Sequence, residues 1–357
     1  MFLSYYANLM KRVDASLKEF MLNNAKDIDT NKFLQFYYNE IEKFLFSGGK
    51  RIRPILMITA GKAVNPSIDE EGITKASLSL ELLHNASLIH DDIMDNAETR
   101  RGETVFHKVL DKYSKEYYSN TIQNHEDFGV AMGILGGDFV YNLAYKAIHV
   151  KYFPPESVLQ ASLEFNEGFF KIVRGVIIET DFMGKLNVSE TEYLEMIEGK
   201  TAALFDKATR MGAILANATE SQIENLGLFG KYAGIAFQIV DDMIGSFGNA
   251  EKTGKPTDSD IREGKKTLLL IKALELASES ERETLEKIIG NRDSSNEDVE
   301  SVREIFKNTS ALEYSKEKAE ELYQLSLSYL EKAEPALDKK FKLYLTEIAN
   351  KGVNRDN

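Results

Sequence analysis

Residues 82–95 read LLHNASLIHDDIMD, an apolar helical stretch that ends among three aspartates. In a helix, His84, Asp91 and Asp95 would share one face, because side chains three, four, seven or eleven positions apart lie on the same side. Asp92 would lie beside that face. Carboxylates next to a core-facing stripe repel one another and are costly to desolvate unless a cation lies among them. The stretch therefore predicts a helix that carries metal ligands to the edge of the core.

A second pair of aspartates follows a similar apolar stretch, GIAFQIV at residues 234–240. Gln238, Asp241 and Asp242 lie at positions i, i+3 and i+4 and therefore share a helix face. The two clusters are about 150 residues apart in the chain, so they must meet in space if they bind one ligand. Mg²⁺ suits carboxylate oxygens combined with phosphate. We therefore expect one domain over residues 1–357, with a cavity that holds a diphosphate through metal ions.

Basic segments could supply cations for that diphosphate. Residues 47–54 read SGGKRIRP and present lysine and arginine after a Gly-Gly turn at a helix start, although the Walker A spacing fails. Residues 100–102 read RRG, and residues 254–267 combine glycines with lysines. Lys200 lies in an otherwise apolar helical segment, where a lysine more often extends to solvent. Each segment alone is also typical of a surface turn, so the prediction depends on their combination.

Composition excludes several classes of function. The net charge of −13 argues against a nucleic-acid partner and against loose adsorption to anionic membranes. The chain has no cysteine, which removes disulfides, thiolate metal sites and cysteine nucleophiles. No apolar run approaches the ~18 residues of a membrane span, and Lys11, Arg12 and Asp14 interrupt the apolar N-terminal segment. We expect a soluble cytoplasmic protein with no stable membrane insertion.

Apolar residues recur at helical spacing almost throughout, and strand-like alternation bounded by turns is absent, so we expect an all-α fold. Pro54 and Pro155 open helices, and a capping box begins at Ser189. Residues 105–127 are polar and tyrosine-rich and suggest an inserted excursion, and the tail from Lys351 is expected to fray. Helical segments are predicted near residues 2–24, 31–46, 69–96, 128–151, 156–184, 189–217, 220–247, 263–289, 297–307, 311–332 and 335–350.

Together these motifs resemble those of the trans-polyprenyl diphosphate synthases, which make farnesyl, geranylgeranyl and longer chains. The resemblance covers about residues 40–270. GGKRIRP is similar to the family's first motif, and LIHDDIMD with TRRG behind it is similar to the first aspartate-rich motif. The remaining motifs occur in the family's order and are Gly137-Asp138, Gly199-Lys200-Thr201, FQIVDD at residues 237–242 and the GKP and KKT segments within residues 254–267.

The resemblance implies a single-domain bundle of helices around a central apolar cavity, the isoprenoid synthase fold. It implies a Mg²⁺-dependent prenyltransferase that condenses isopentenyl diphosphate head-to-tail with an allylic diphosphate, and a homodimer. Two or three Mg²⁺ ions would be held by Asp91, Asp95 and Asp241, with Asp92, Asp242 and Lys200 also catalytic. The implied isopentenyl diphosphate contacts are Lys50, Arg53, His84 and Arg101, and the implied allylic diphosphate contacts are Arg100, Lys200, Thr201, Gln238, Lys255 and Lys265.

Product length should depend on the residues behind the first aspartates. In short-chain relatives, aromatic side chains one helical turn upstream block the tunnel floor, whereas this chain has Ala86 and Ser87 there. Because each buried CH₂ contributes about 0.8 kcal/mol, elongation should proceed past C15 in a continuous apolar cavity. We expect a C20 product, and longer chains if residues around Tyr141 and Tyr145 set the floor.

Two positions depart from the family's pattern. Gly245 stands where the second aspartate-rich motif usually has a third aspartate, and Val176 stands where a glutamine is usual. Glycine does occur at the first position within the family, so the substitution leaves more of the metal binding to Asp241.

Alternatives remain open. A class I terpene cyclase shares the fold but does not need the GGKRIR segment or the arginine pair. A second alternative is a non-catalytic subunit of a heteromeric synthase, to which Gly245 gives slight support. A di-iron bundle would use the Glu81-x-x-His84 spacing, but the chain has no second such pair.

Overall fold

The computed structural model describes residues 1–24, 31–185, 187–247 and 258–354, and these form an almost entirely helical structure. The β-structure among these residues is one antiparallel hairpin of two short strands, β1 (Thr99–Arg100) and β2 (Glu103–Thr104). The helices are α1 (Phe2–Asn24), α2 (Lys32–Phe46), α3 (Ile52–Val64), α4 (Glu70–Met94), α5 (Phe106–Tyr117), α6 (His125–Ile148), α7 (Pro155–Phe182), α8 (Glu190–Ile197), a π-helix (Glu198–Ala202), α9 (Ala203–Leu215), α10 (Glu220–Phe247), α11 (Ser259–Glu263), α12 (Leu268–Leu276), α13 (Glu279–Ile288), α14 (Asn296–Asn308), α15 (Ala311–Lys332) and α16 (Lys339–Val353).

Side-chain caps define several helix starts. Asp69 accepts a hydrogen bond from the backbone of Gly72 at the start of α4. The capping box at Ser189 is present as predicted, with Glu192 as its partner. Such caps satisfy backbone N–H groups that have no acceptor within the helix. Pro155 opens α7, also as predicted.

Helix α4 lies at the centre of the main core. Leu78, Leu80, Leu82 and Leu83 are completely buried, so most of α4 is enclosed on all sides. Its second half reaches a cavity, which is lined by Glu81 and His84 and, at the C-terminal end, by the first aspartates. Burial on most sides explains why the first half of this helix is rich in apolar and small residues.

A smaller hydrophobic cluster is built from α11 to α15 and packs beside the end of α10. It includes Leu270, Leu285 and Phe306. The sequence predicted one helical segment over residues 263–289, which was wrong. The chain breaks between α12 and α13, because Ser278 adopts an extended conformation and caps α13.

Residues 105–127, predicted to be a polar excursion, contain the amphipathic helix α5. Phe106 and Leu110 are buried, and Tyr113 stacks on Phe36 with ring centroids 4.4 Å apart. The segment therefore packs against α2 and α6. The short hairpin before it was also not predicted.

Helix α16 extends to Val353, two residues past Lys351. Gly352 is buried and packs against Phe237, because a Cβ built on Gly352 would lie 3.1 Å from a carbon of that ring. Fraying of the tail stays a prediction. None of the helices among the described residues has the length and apolar character required to cross a membrane.

Candidate active site

Both aspartate clusters face one cavity of about 1150 Å³. Asp91 and Asp95, at the end of α4, and Asp241 and Asp242, near the end of α10, all line it. The sequence expectation that distant carboxylates share a cavity is therefore confirmed.

The first cluster divides between the cavity and the core. Burial raises the pKa of Asp91 to about 6, and the Asp95 carboxylate raises it further while Lys200 opposes the shift. Asp92 points away from the cavity and is only 1% exposed. Its Oδ1 accepts a hydrogen bond from Nε of Arg100 at 2.8 Å. Asp92, which is buried, and Arg100, which is partly exposed, therefore form an ion pair, and neither lines the cavity.

Arg101 lies on the cavity side of the hairpin turn. Its φ of 54° and that of Gly102, 81°, are both left-handed, as expected for a tight two-residue turn. The Arg101 guanidinium donates to the carbonyl oxygen of Gly48 at 2.5 Å. This bond joins the hairpin to the Gly-Gly segment, so two basic motifs from different parts of the sequence meet.

The residues predicted for isopentenyl diphosphate, Lys50, Arg53, His84 and Arg101, all line the cavity. Burial, followed by the charges of Arg53 and Arg101, lowers the pKa of His84 well below its usual value. His84 is thus neutral near pH 7. Burial also lowers the pKa of Arg53 to about 10, and its Nε has no hydrogen-bond partner in the described structure. Clustered cations with an unsatisfied N–H are the donor set that an anion requires.

Arg51 anchors this segment. It adopts a left-handed conformation with φ of 49° and is 4% exposed. Its guanidinium donates to Glu81 at 2.7 Å and to Asp14 at 2.8 Å. Through the buried Glu81 and the partly exposed Asp14, Arg51 fixes the backbone that presents Lys50 and Arg53 to the cavity.

A π-helix carries Lys200 and Thr201 into the site. Two glycines make it possible, because α7 and the π-helix approach backbone to backbone there. A Cβ on Gly175 would lie 2.8 Å from the carbonyl carbon of Gly199. Lys200 pairs with Glu179 and lines the cavity rather than extending to bulk solvent. π-helical turns often occur at functional sites, since the extra residue redirects side chains.

A hydrogen-bonded chain organises the second cluster. Thr201 Oγ1 donates to Gln238 Oε1 at 2.7 Å, and Gln238 Nε2 donates to Asp242 Oδ1 at 2.7 Å. The Tyr193 hydroxyl donates to the other Asp242 oxygen at 2.6 Å. Burial raises the pKa of Asp242. Because both its oxygens accept bonds from protein, Asp242 orients the cluster, and Asp241 faces the cavity beside it.

The lysine-rich segment is only partly described. Lys265 lines the cavity and pairs with Asp260 at 3.2 Å and Glu263 at 3.1 Å. Lys255 lies outside the described residues. Lys266, in the KKT segment of the sequence analysis, also lines the cavity. The sequence analysis did not identify Glu179, Tyr193 or Arg292 as cavity residues. Of these, only Glu179 had a sequence signal, one helical turn beyond Gly175.

The residues predicted to set product length lie in the core behind the first cluster. Ala86 is 2% exposed, and neither it nor Ser87 contributes to the cavity lining. Val176 does line the cavity and makes its wall apolar where the family usually has glutamine. Tyr141 packs against Phe169 with ring centroids 4.4 Å apart, and neither residue is part of the cavity lining.

The donor set suits a hard divalent cation. Carboxylate oxygens are the ligands that Mg²⁺ prefers, usually with one or two carboxylates plus substrate phosphates completing the shell. The described residues contain no compact group of three acidic or histidine side chains able to enclose an ion unaided. Facing carboxylates with a cation-lined wall between them fit a metal that arrives with a diphosphate.

Comparison with known proteins identifies the family. The polyprenyl synthetase family profile matches residues 35–306. The chain is 33% identical to a geranylgeranyl diphosphate synthase of Saccharolobus solfataricus, over 91% of this chain and 90% of that one. It is 39% identical to a short chain isoprenyl diphosphate synthase of Methanothermobacter thermautotrophicus, over 77% of each.

Solved structures agree. A geranylgeranyl pyrophosphate synthase from Corynebacterium glutamicum, complexed with isoprenyl diphosphate and magnesium, matches with a TM-score of 0.90 at 27% identity, covering 98% of this chain and 99% of that one. The synthetase from Pyrococcus horikoshii matches with a TM-score of 0.82 at 30% identity, covering 99% and 100%. The all-α isoprenoid synthase fold is thereby confirmed, and the chain belongs to the polyprenyl synthetase family, the trans-polyprenyl diphosphate synthases.

Proposed function

We propose that this chain is a Mg²⁺-dependent prenyltransferase that condenses isopentenyl diphosphate with an allylic diphosphate, head-to-tail and in trans geometry. The observation that carries the proposal is the single cavity that joins two facing aspartate clusters to a separate group of cations. One diphosphate needs metal ligands, and the second needs a cationic pocket. This cavity offers both.

In this mechanism the allylic diphosphate lies between the clusters. Asp91, Asp95 and Asp241 would hold two or three Mg²⁺ ions, which when bound neutralise charge on the departing diphosphate. Lys200 and Lys265 contribute further positive charge beside the same oxygens. Both lysines already pair with carboxylates, so their ammonium groups are oriented before substrate arrives.

Isopentenyl diphosphate would occupy the other pocket. Arg53 and Arg101 supply charge and Lys50 adds an ammonium group at the rim. His84 is neutral because of burial and the nearby arginines, so it can donate one ring N–H to a phosphate oxygen without adding charge. Binding at this pocket holds the nucleophilic double bond near the allylic carbon, and proximity lowers the barrier.

We propose geranylgeranyl diphosphate, C20, as the product. Relatives of similar length from Saccharolobus solfataricus and Sulfolobus acidocaldarius are geranylgeranyl diphosphate synthases. Ala86 and Ser87 are small, so no aromatic side chain at these positions would limit a growing chain. The aromatic pair Tyr141 and Phe169 is a candidate for the floor.

We also propose a homodimer formed through α6 and α7. Five large apolar side chains on these helices, between 54% and 62% exposed, point to solvent, namely Leu135, Leu159, Leu163, Phe170 and Ile177. The four on α7 recur at spacings of four and seven and so form one stripe. Contiguous apolar surface of this kind typically marks an interface, and a second copy presents the same surface.

The dimer is tested by sedimentation velocity. Leu163→Glu with Phe170→Glu should yield a monomer, because two charges would be buried at the interface. Leu343→Glu, a matched change at an exposed leucine on α16, should leave the dimer intact. A wild-type monomer at micromolar concentration would contradict the proposal.

We also propose that the chain forms a single domain and that the protein is cytoplasmic. The domain proposal is supported by Met243 of α10, which packs against both the main core and the smaller cluster. Limited proteolysis would test it, since one domain should resist stepwise cleavage.

The central experiment is incubation of the purified chain with labelled isopentenyl diphosphate, allylic primers of different length and Mg²⁺, followed by product sizing. A C20 product that requires both substrates is expected. Turnover of allylic substrate alone would instead indicate a terpene cyclase. Inactivity of the folded lone chain would indicate a non-catalytic subunit, and farnesyl diphosphate as sole product would refute the proposed length.

A further inference from the structure

The Gly-Gly segment, residues 48–51, adopts a backbone conformation that neither a helix nor a strand maintains. Gly48, Gly49 and Arg51 have positive φ values of 113°, 132° and 49°. A positive φ is unfavourable for a residue with a side chain, and it persists only where the surrounding contacts enforce it. The segment connects α2 to α3 and carries Lys50, so the bonds made to it decide where Lys50 and the first residues of α3 lie.

Two of these bonds involve α1. The Tyr6 hydroxyl donates to the backbone carbonyl oxygen of Lys50 at 2.5 Å. Burial, followed by the charge of Glu81, raises the pKa of Tyr6 above its usual range, so the hydroxyl keeps its proton and remains a donor near neutral pH. Asp14, about two helical turns further along α1, accepts from the Arg51 guanidinium at 2.8 Å. Helix α1 therefore holds the segment at two consecutive residues.

The Tyr6 ring is itself held in place. The Phe2 ring packs edge-on against it with centroids 6.0 Å apart, and Nζ of Lys351, on α16, lies 5.9 Å from its centroid. Both α1 and α16 lie outside residues 35–306, which are the part of the chain that the polyprenyl synthetase profile matches. The bond to Lys50 thus comes from a part of the chain that the family profile does not include.

Tyr6 does not belong to the cavity lining, whereas Lys50 and Arg53 do. Its hydroxyl therefore acts on a ligand through the backbone that it holds. We propose that Tyr6 is a positioning residue for isopentenyl diphosphate, because its bond to the Lys50 carbonyl keeps the Gly-Gly segment in the conformation that presents Lys50 and Arg53 to that substrate. The proposal rests on the proposed function, which assigns these two cations to isopentenyl diphosphate.

The competing explanation is that Tyr6 merely attaches α1 to the core. The neighbouring residue separates the two roles. Tyr5 also shares one hydrogen bond with a distant residue, Thr59 Oγ1 at 3.1 Å, and its ring stacks on Tyr344 with centroids 4.5 Å apart. Thr59 is buried within α3 and does not line the cavity. Tyr5→Phe therefore removes an equivalent hydroxyl from the same helix without affecting a bond to the Gly-Gly segment, and it is the matched control.

The first test is a calorimetric titration of the full chain with isopentenyl diphosphate in EDTA. No allylic primer is present, so binding is measured without turnover. Tyr6→Phe should raise the Kd about 3–10-fold, as expected for the loss of one hydrogen bond. Tyr5→Phe should bind like wild type. Each change removes one hydroxyl and leaves the ring packing in place, and far-ultraviolet circular dichroism establishes that both variants have folded.

Steady-state kinetics with Mg²⁺ provide the second test. In Tyr6→Phe the KM for isopentenyl diphosphate should rise by the same factor as the Kd, because the bond acts on binding of this substrate rather than on the chemical step. The kcat and the KM for the allylic diphosphate should stay at their wild-type values. A variant that had merely loosened the fold would not change one substrate's KM alone.

The outcomes separate this inference from the proposed function. An unchanged Kd in Tyr6→Phe overturns the role of Tyr6. An equal rise in both tyrosine variants also overturns it, since it would reflect the attachment of α1 in general, and so does a parallel rise in the KM for the allylic diphosphate. The proposed function fails separately, if wild type itself neither binds isopentenyl diphosphate nor elongates an allylic primer with it.

Discussion

Replacing Asp91 by asparagine should stabilise the ligand-free protein and at the same time abolish turnover. Burial raises the pKa of Asp91 to about 6, from an ordinary value of 3.8. Two pKa units correspond to about 3 kcal/mol of disfavoured ionisation above pH 6. Asparagine keeps the shape without the charge, so this penalty is removed. The loss of a metal ligand should lower the rate at least 10²-fold.

The direction of the Asp91 pKa shift determines how the stability of the folded protein changes with pH. Between about pH 4 and pH 6, the folded wild type retains the Asp91 proton that the unfolded chain has lost, so its stability falls as pH rises through this window. Asparagine does not titrate. The advantage of Asp91→Asn should therefore be largest above pH 6 and should disappear near pH 4.

Calorimetry in the presence of EDTA measures this advantage. For 357 residues, an unfolding entropy of about 2.1 cal/mol/K per residue converts 3 kcal/mol into about 4 °C. Asp293→Asn, at an exposed loop carboxylate, is the control and should change the melting temperature little. Mg²⁺ with pyrophosphate should then stabilise wild type more than Asp91→Asn. An equal or lower melting temperature for ligand-free Asp91→Asn at pH 7.5, or a difference independent of pH, would refute the reasoning.

Three further changes test other parts of the molecule. Ala86→Phe should shorten the product, as shown by chromatography, because an aromatic side chain one helical turn upstream of the first aspartates is expected to limit the room for the growing chain. Arg51→Met should cost about 3–5 kcal/mol in urea unfolding, since it leaves the Glu81 carboxylate buried without its charge partner, and adding Glu81→Leu should recover most of that loss. Tyr193→Phe should cost about 1–3 kcal/mol, because Asp242 loses a buried donor; an unchanged urea midpoint would contradict that role.

Local patterns predicted most of the helices and the position of the first aspartates at the cavity. Helical spacing placed Asp91 and Asp95 on one face, and the structure shows that this face lines the cavity. The capping box at Ser189 also formed as expected. Such features depend on residues within one or two turns, so the sequence contains the information directly.

Features that depend on distant partners were not predicted. Asp92 lies next to Asp91 in sequence, yet its side chain turns away from the cavity and accepts a hydrogen bond from Arg100. Tyr193 donates a hydrogen bond to Asp242 from another helix, and no local pattern in the sequence predicts that contact. The bond from Tyr6 to the Lys50 carbonyl was likewise not predicted, because only the folded arrangement brings α1 against the Gly-Gly segment.

The π-helix has a consequence for how such a catalyst could arise or be lost. A π-turn contains one more residue than an α-turn, and each residue of a regular helix rotates the chain by about 100°. Deleting one residue within Glu198–Ala202 would restore an ordinary α-helix and rotate Lys200 or Thr201 away from the cavity. The surrounding bundle would stay unchanged. A single-codon insertion or deletion could thus switch chemistry on or off in an otherwise intact scaffold.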